Sequence, residues 1–130
     1  MQIAPDLYER MIEHAREVAP QECCGMLAAR GDAVVQVHRV TNVEKSSLRF
    51  VMDPQEQFNV YNEIESAGLD LVIYHSHPRT EPRPSQTDIG FAKEWPGVPW
   101  AIIGLGGPQP EIRLWQIDDG SVTETVLVKE

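Results

Sequence analysis

The sequence predicts an α/β domain in which a mixed β-sheet is flanked by helices, and three observations carry that expectation. Amphipathic helical stripes are interspersed with short β-branched runs instead of being segregated from them, the pattern of layered α/β proteins. Neighbouring runs are joined by tight turn signals, so part of the sheet pairs as hairpins. The run Leu69-Asp70-Leu71-Val72-Ile73-Tyr74 has the length and β-branched content of a buried strand.

Taken in order, Leu7, Met11, Ala15 and Val18 fall at spacings of four, four and three over residues 6–18, a helical stripe that Pro20 must stop. Residues 24–29 and 33–40 flank Arg30-Gly31-Asp32 and read as a hairpin, with Val35 and Val37 alternating with Gln36 and His38. Residues 42–48 are polar and loop-like, and residues 49–52 read as a short strand. Asp53-Pro54-Gln55-Glu56 is a helix start, with Asp53 as cap, Pro54 at the first position and Glu56 closing the box. Phe58, Tyr61 and Ile64 are expected as its inward face, and Gly68 as its stop. A third helix is expected over residues 85–95, with Ile89, Ala92 and Trp95 on one stripe before Pro96-Gly97. Residues 100–105, 112–117 and 122–128 read as three closing strands, separated by Gly/Pro and Asp-Asp-Gly turns.

At 130 residues the chain is expected to be one domain spanning 1–130, long enough to bury about 70% of its unfolded surface. Eleven Lys and Arg against twenty Asp and Glu give a net charge of −9, which opposes the counterion release that drives nucleic-acid binding. No apolar run approaches the ~18 residues that a membrane span needs. Residues 1–6 have neither a basic nor an apolar segment of the export type, so the expected location is the cytoplasm. Cys23 and Cys24 are sequence neighbours, which suits neither a disulfide framework nor a C-x-x-C zinc knuckle. Inert packing is the expectation for both.

The chemistry concentrates in residues 75–88. His75 and His77 follow the apolar run, and in a strand residues i and i+2 share a face, so the two imidazoles converge. Pro78 ends the ladder, and Pro82 and Pro84 stiffen the passage to Ser85. With Ser85 as helix cap, Asp88 falls in the first turn, where its carboxylate can be aimed back at the strand end. Two imidazoles and one carboxylate leave a fourth tetrahedral position open, as in catalytic zinc sites. Each half has a structural alternative: H-x-H as polar residues at a strand end, and Ser85…Asp88 as a capping box alone. His14 and His38 lack partners at ligand spacing and are expected to be ordinary histidines. Ser76 faces away from its neighbours and is expected to be structural.

His75-Ser76-His77-Pro78, with seven residues from Pro78 through Pro84, and then Ser85-Gln86-Thr87-Asp88, closely resembles the JAMM signature of the MPN/JAB metalloproteases. Glu22, in Pro20-Gln21-Glu22-Cys23-Cys24-Gly25-Met26-Leu27, matches the family's upstream acidic position, and Asn42, Phe50 and Asp53-Pro54 extend the likeness along the chain. The resemblance is strongest to the short stand-alone bacterial and archaeal members. It implies the MPN (JAB) fold, similar to that of cytidine deaminases. The deaminase signature H-x-E with P-C-x-x-C is itself absent, which argues against base deamination.

The resemblance further implies one Zn2+ per chain on His75, His77 and Asp88, Glu22 as general base, and Ser85 donating to the oxyanion. It implies hydrolysis of a peptide or isopeptide bond after the C-terminal tail of a ubiquitin-like or sulfur-carrier protein, releasing an amino acid such as cysteine. The alternatives are a peptidase for other small peptides and a non-catalytic MPN scaffold. A thin tail could add as a strand to an exposed edge. The candidate edges are residues 46–52 and the loop 79–84, with Arg49, Arg79 and Arg83 as cations for carboxylates of the carrier or product, or as solvated charge.

Overall fold

A computed structural model describes residues 1–130. The elements are β1 (Gln2–Ile3), α1 (Pro5–Val18), β2 (Cys24–Arg30), β3 (Ala33–Val40), α2 (Pro54–Ser66), β4 (Asp70–His77), α3 (Gln86–Ala92), β5 (Trp100–Gly104), β6 (Glu111–Asp118), β7 (Ser121–Thr125) and β8 (Val128–Lys129). All eight strands join one mixed sheet in the order β7-β6-β5-β4-β2-β3-β1-β8. β4 lies inside it, antiparallel to β2 and parallel to β5.

Period-two alternation divides the core between the two faces of the sheet. Met26, Ile73, Trp100, Ile102 and Trp115 pack on one side with Ile64 of α2 and Ala92 of α3. Leu27, Val72, Tyr74, Ala101 and Ile103 pack on the other with Met11, Ile12 and Ala15 of α1. The stripe expected for α1 is therefore the one it buries, with Leu7 and Val18 half-buried at its ends.

Four expectations are corrected. The closing run 122–128 is two strands: β7 pairs with β6 at one edge, while β8 pairs with β1 at the other. Two residues separate strands on opposite edges, so the sheet curls until its edges nearly meet. Residues 49–52 form no strand, only a single bridge between Asn42 and Met52. There the Asn42 side chain holds Arg49 O and Val51 N in place of a longer ladder. The helix expected to reach Trp95 ends at Ala92, because Lys93, Glu94 and Trp95 donate to the carbonyls three residues back, tightening the chain beyond the α pattern.

The fourth correction concerns α2, whose aromatics do not face the core. Phe58 is 61% and Tyr61 38% exposed, whereas Ile64 is buried. Steps of three residues drift by about 60° around a helix, so the stripe that reaches the sheet runs through Val60 and Ile64. Phe58 and Tyr61 instead line an open groove of about 660 Å³ with Leu69, Leu71, Trp95 and Val98. No helix is long and apolar enough to cross a membrane.

Candidate metal centre

Ile73, His75 and His77 project from one face of β4, and Pro78 closes the strand after a last ladder bond from Leu105 N to His77 O at 3.1 Å. The chain returns through residues 79–84 to Ser85, which caps α3. Ser85 Oγ accepts from Asp88 N at 3.1 Å, and Asp88 Oδ2 accepts from Ser85 N at 2.9 Å. This reciprocal box orients the Asp88 carboxylate. Its Oδ1 lies 3.1 Å from His75 Nε2 and its Oδ2 3.1 Å from His77 Nε2, and the two Nε2 atoms are 3.2 Å apart. All three residues are buried.

The loop bearing on His77 is itself held. His77 Nδ1 meets Glu81 O at 2.9 Å, so this nitrogen carries the proton and Nε2 keeps its lone pair for the site. Trp115 of β6 donates its indole N–H to Pro82 O at 2.8 Å. Gly104 and Gly106 let the loop lie against β5 and its exit, since a Cβ at either position would collide with Pro82 or with Arg79 O. On the other flank, the rings of Phe50 and Trp100 pack on His75 with centroids 4.8 and 5.5 Å away.

Glu22 arrives through register. β2 pairs Cys24 with His75, and Ser76 N donates to Cys23 O at 3.1 Å. Continuing by one residue sets Glu22 opposite His77, on the same face. Its carboxylate is buried, and Oε1 has no hydrogen-bond partner. Burial drives the Glu22 pKa up to about 8, with His77 pulling it down and Asp88 pushing it up. Burial also opposes ionisation of Asp88, but the two imidazoles and the Ser85 N–H outweigh it and hold this carboxyl below the usual range. For His75 burial prevails and lowers the pKa. For His77 it is outweighed by Asp88 and the Glu81 carbonyl, and the pKa rises.

These donors suit a divalent cation such as zinc. Bonds of ~2.0–2.1 Å in tetrahedral geometry place two ligand atoms roughly 3.3 Å apart, close to the 3.1 and 3.2 Å found among His75, His77 and Asp88. The unpartnered Glu22 oxygen, on the same sheet face and within electrostatic reach of His77 and Asp88, is the second sign of a polar guest. Three residues from two stretches of chain thus bring their ligand atoms within 4.8 Å of one another.

A family model described as prokaryotic homologs of the JAB domain matches residues 4–118. The chain belongs to that family. The curled sheet and its helices are those of the JAB/MPN fold, and the enzymatic class is that of a peptidase. Similar proteins include the CysO-cysteine peptidase of Mycobacterium tuberculosis, 39% identical over 126 residues, covering 94% of this chain and 86% of that protein. The desampylase of Haloferax volcanii is 40% identical over 115 residues, covering 82% of each. The solution structure of protein DSY2949 from Desulfitobacterium hafniense has a TM-score of 0.84 at 32% identity, covering 100% of this chain and 94% of that one.

The other singled-out residues stand apart from the cluster. Cys23 and Cys24 are buried on opposite sheet faces, and burial pushes the Cys23 thiol up to about 12 and that of Cys24 up as well. His14 Nδ1 meets the Tyr74 hydroxyl at 2.7 Å, and His38 meets Gln36 Oε1 at 2.8 Å. Ser76 Oγ accepts from Cys23 N at 2.8 Å. Arg49 pairs with Glu44 at 2.7 Å, Arg83 lies over the Trp115 ring at 5.3 Å, and Arg79 is exposed. Sequence reasoning missed Trp115 and the Glu81 carbonyl. In the alternation of β6 Trp115 reads only as core, and a carbonyl has no sequence signal.

Proposed function

We propose that this enzyme hydrolyses the peptide or isopeptide bond following the C-terminal tail of a ubiquitin-like or sulfur-carrier protein. His75, His77 and Asp88 hold one zinc ion per chain, Glu22 is the general base and Ser85 the oxyanion donor. The observation that carries this reading is the convergence of the His75, His77 and Asp88 ligand atoms with a buried, unpartnered Glu22 oxygen that interacts electrostatically with His77 and Asp88. When bound, the ion supplies a Lewis acid that acidifies water and polarises the scissile carbonyl.

The chain's own groups do the rest. Ionisation of Glu22, opposed by burial, is favoured by positive charge held at His75, His77 and Asp88. The Glu22 carboxylate takes a proton from the attacking water and hands it to the amine as the C–N bond breaks. The Ser85 oxygen accepts from Asp88 N, which leaves its own O–H to donate to the carbonyl oxygen as charge develops there.

Pairing along residues 41–53 favours an edge for the tail. Val43 N donates to Val51 O and Asp53 N to Thr41 O, so Val51 and Asp53 turn their backbone groups inward and Phe50 and Met52 turn theirs outward. The Phe50 ring packs on His75, which sets this edge beside the ligands. A tail paired there needs small residues at the cut, where Gly lets backbone approach closely. Carriers and conjugates of this type are suggested by the names of the similar mycobacterial and haloarchaeal enzymes. Free, buried Cys23 and Cys24 suit the reducing conditions of a cytoplasm.

The test is to incubate the zinc-loaded protein with carrier adducts that bear one extra residue or an isopeptide-linked lysine, and to read intact mass. Loss of the mass beyond a Gly-Gly tail is expected. Equal cleavage of Gly-Gly and Leu-Leu tails overturns the edge reading, and no cleavage of any adduct overturns the substrate class.

A further inference from the structure

We propose that Asn42 is the positioning residue for Glu22, acting through the backbone of the general base. The inference rests on the role given to Glu22 above. Asn42 is buried just beyond β3 and uses every hydrogen-bonding position of its amide. Nδ2 donates to Glu22 O at 3.0 Å and to Arg49 O at 3.2 Å, while Oδ1 accepts from Glu44 N at 3.1 Å and Val51 N at 3.0 Å. Two carbonyls face the nitrogen and two N–H groups face the oxygen, so a flipped amide would set like against like.

Glu22 depends on that arrangement because neither of its backbone groups joins the sheet. Its N–H donates to Ser46 O at 2.8 Å, and its carbonyl accepts from Asn42. The residue after it, Cys23, is already tied to Ser76. Residues 42 and 46 therefore set the direction of the Glu22 Cα–Cβ bond, and with it the place of the carboxylate. The same amide holds Arg49 and Val51 on either side of Phe50, which packs on His75. A single side chain thus joins the base to the segment that flanks the ligands.

Asn42→Asp separates the two halves of this device, since it keeps an oxygen for Glu44 N and Val51 N but donates nothing to Glu22 O. With zinc loaded, kcat is expected to fall by about 10²-fold, the cost of a displacement near 1 Å, with KM and zinc content unchanged. Hydrogen exchange is expected to quicken at the Glu22 amide and stay slow at Val51. In a Glu22→Gln background, Asn42→Asp is expected to add no further loss. If the added carboxylate prevents folding, Asn42→Ser, neutral and too short to reach the carbonyl, takes its place, with the Glu22 amide exchange and the double variant as readouts.

An unchanged kcat in the folded variant, or the full loss repeated on top of Glu22→Gln, overturns the role of Asn42 while leaving Glu22 as base. Glu22→Gln as fast as wild type overturns the base reading itself, and with it this inference.

Discussion

The Trp115 indole N–H donates to the Pro82 carbonyl at 2.8 Å, pinning from β6 the loop whose Glu81 carbonyl meets His77 Nδ1. Trp115 is 3% exposed, so this is a buried bond between a core side chain and the segment that orients His77. Trp115→Phe keeps much of the packing and leaves the carbonyl unsatisfied, which costs about 1–3 kcal/mol. Because the partner of a metal-ligating imidazole tunes affinity, zinc binding is expected to weaken by about 10–100-fold. Chelator competition and thermal melting measure the two effects separately, and an unchanged zinc affinity would show that the loop holds His77 without Trp115.

The metal is expected to serve chemistry more than folding. The two apolar clusters on either face of the sheet provide a core that does not include the ligands' oxygen and nitrogen atoms. His77→Ala and Asp88→Ala are therefore expected to lose zinc and hydrolysis together while keeping the far-ultraviolet circular dichroism of the parent. Elemental analysis should give one zinc per chain in the parent and none in Asp88→Ala. Hydrolysis by a chelated, zinc-free preparation would contradict the assignment.

Glu22→Gln preserves shape and removes only the proton acceptor. Zinc content should be unchanged and turnover should drop by roughly 10²–10⁴-fold. Ser85→Ala is expected to act twice, since its oxygen both caps α3 and carries the proposed oxyanion donor. Loss of the cap lowers stability by about 1 kcal/mol, and loss of the donor lowers turnover by about 10²–10³-fold. A lower melting temperature with intact turnover would reduce Ser85 to a cap.

On the opposite face, His14 supplies a pH dependence independent of the metal. Burial, reinforced by Arg39 and opposed by Glu17, lowers its pKa from 6.5 to about 4. Between those values the unfolded chain binds a proton that the fold refuses, so stability falls as pH falls. The difference corresponds to on the order of 3 kcal/mol. His14→Gln, which retains an acceptor for the Tyr74 hydroxyl, should flatten the denaturation profile between pH 6.5 and 4 relative to wild type. Parallel profiles for the two proteins would show that His14 titrates normally.

How much was legible depended on the distance over which each feature is encoded. The convergence of His75 and His77 follows from strand alternation, and the aim of Asp88 from its place three residues after a capping serine, so both were readable from spacing within fourteen residues. The caps at Asp53 and Ser85 and the hairpin of β2 and β3 are local in the same way. Tertiary structure alone decided the rest. The β2–β4 register that sets Glu22 across from His77 joins strands whose paired residues, from Ala29 with Asp70 to Cys24 with His75, lie more than forty positions apart. The pairing of β1 with β8 follows from the curl of the whole sheet, and a two-residue strand has no period to read. Phe58 and Tyr61 look inward on a three-residue count, yet face solvent because the contact with β4 selects Val60 and Ile64. Periodicity states that a face is apolar, whereas its direction, and the register of a distant strand, are fixed only when the layers pack.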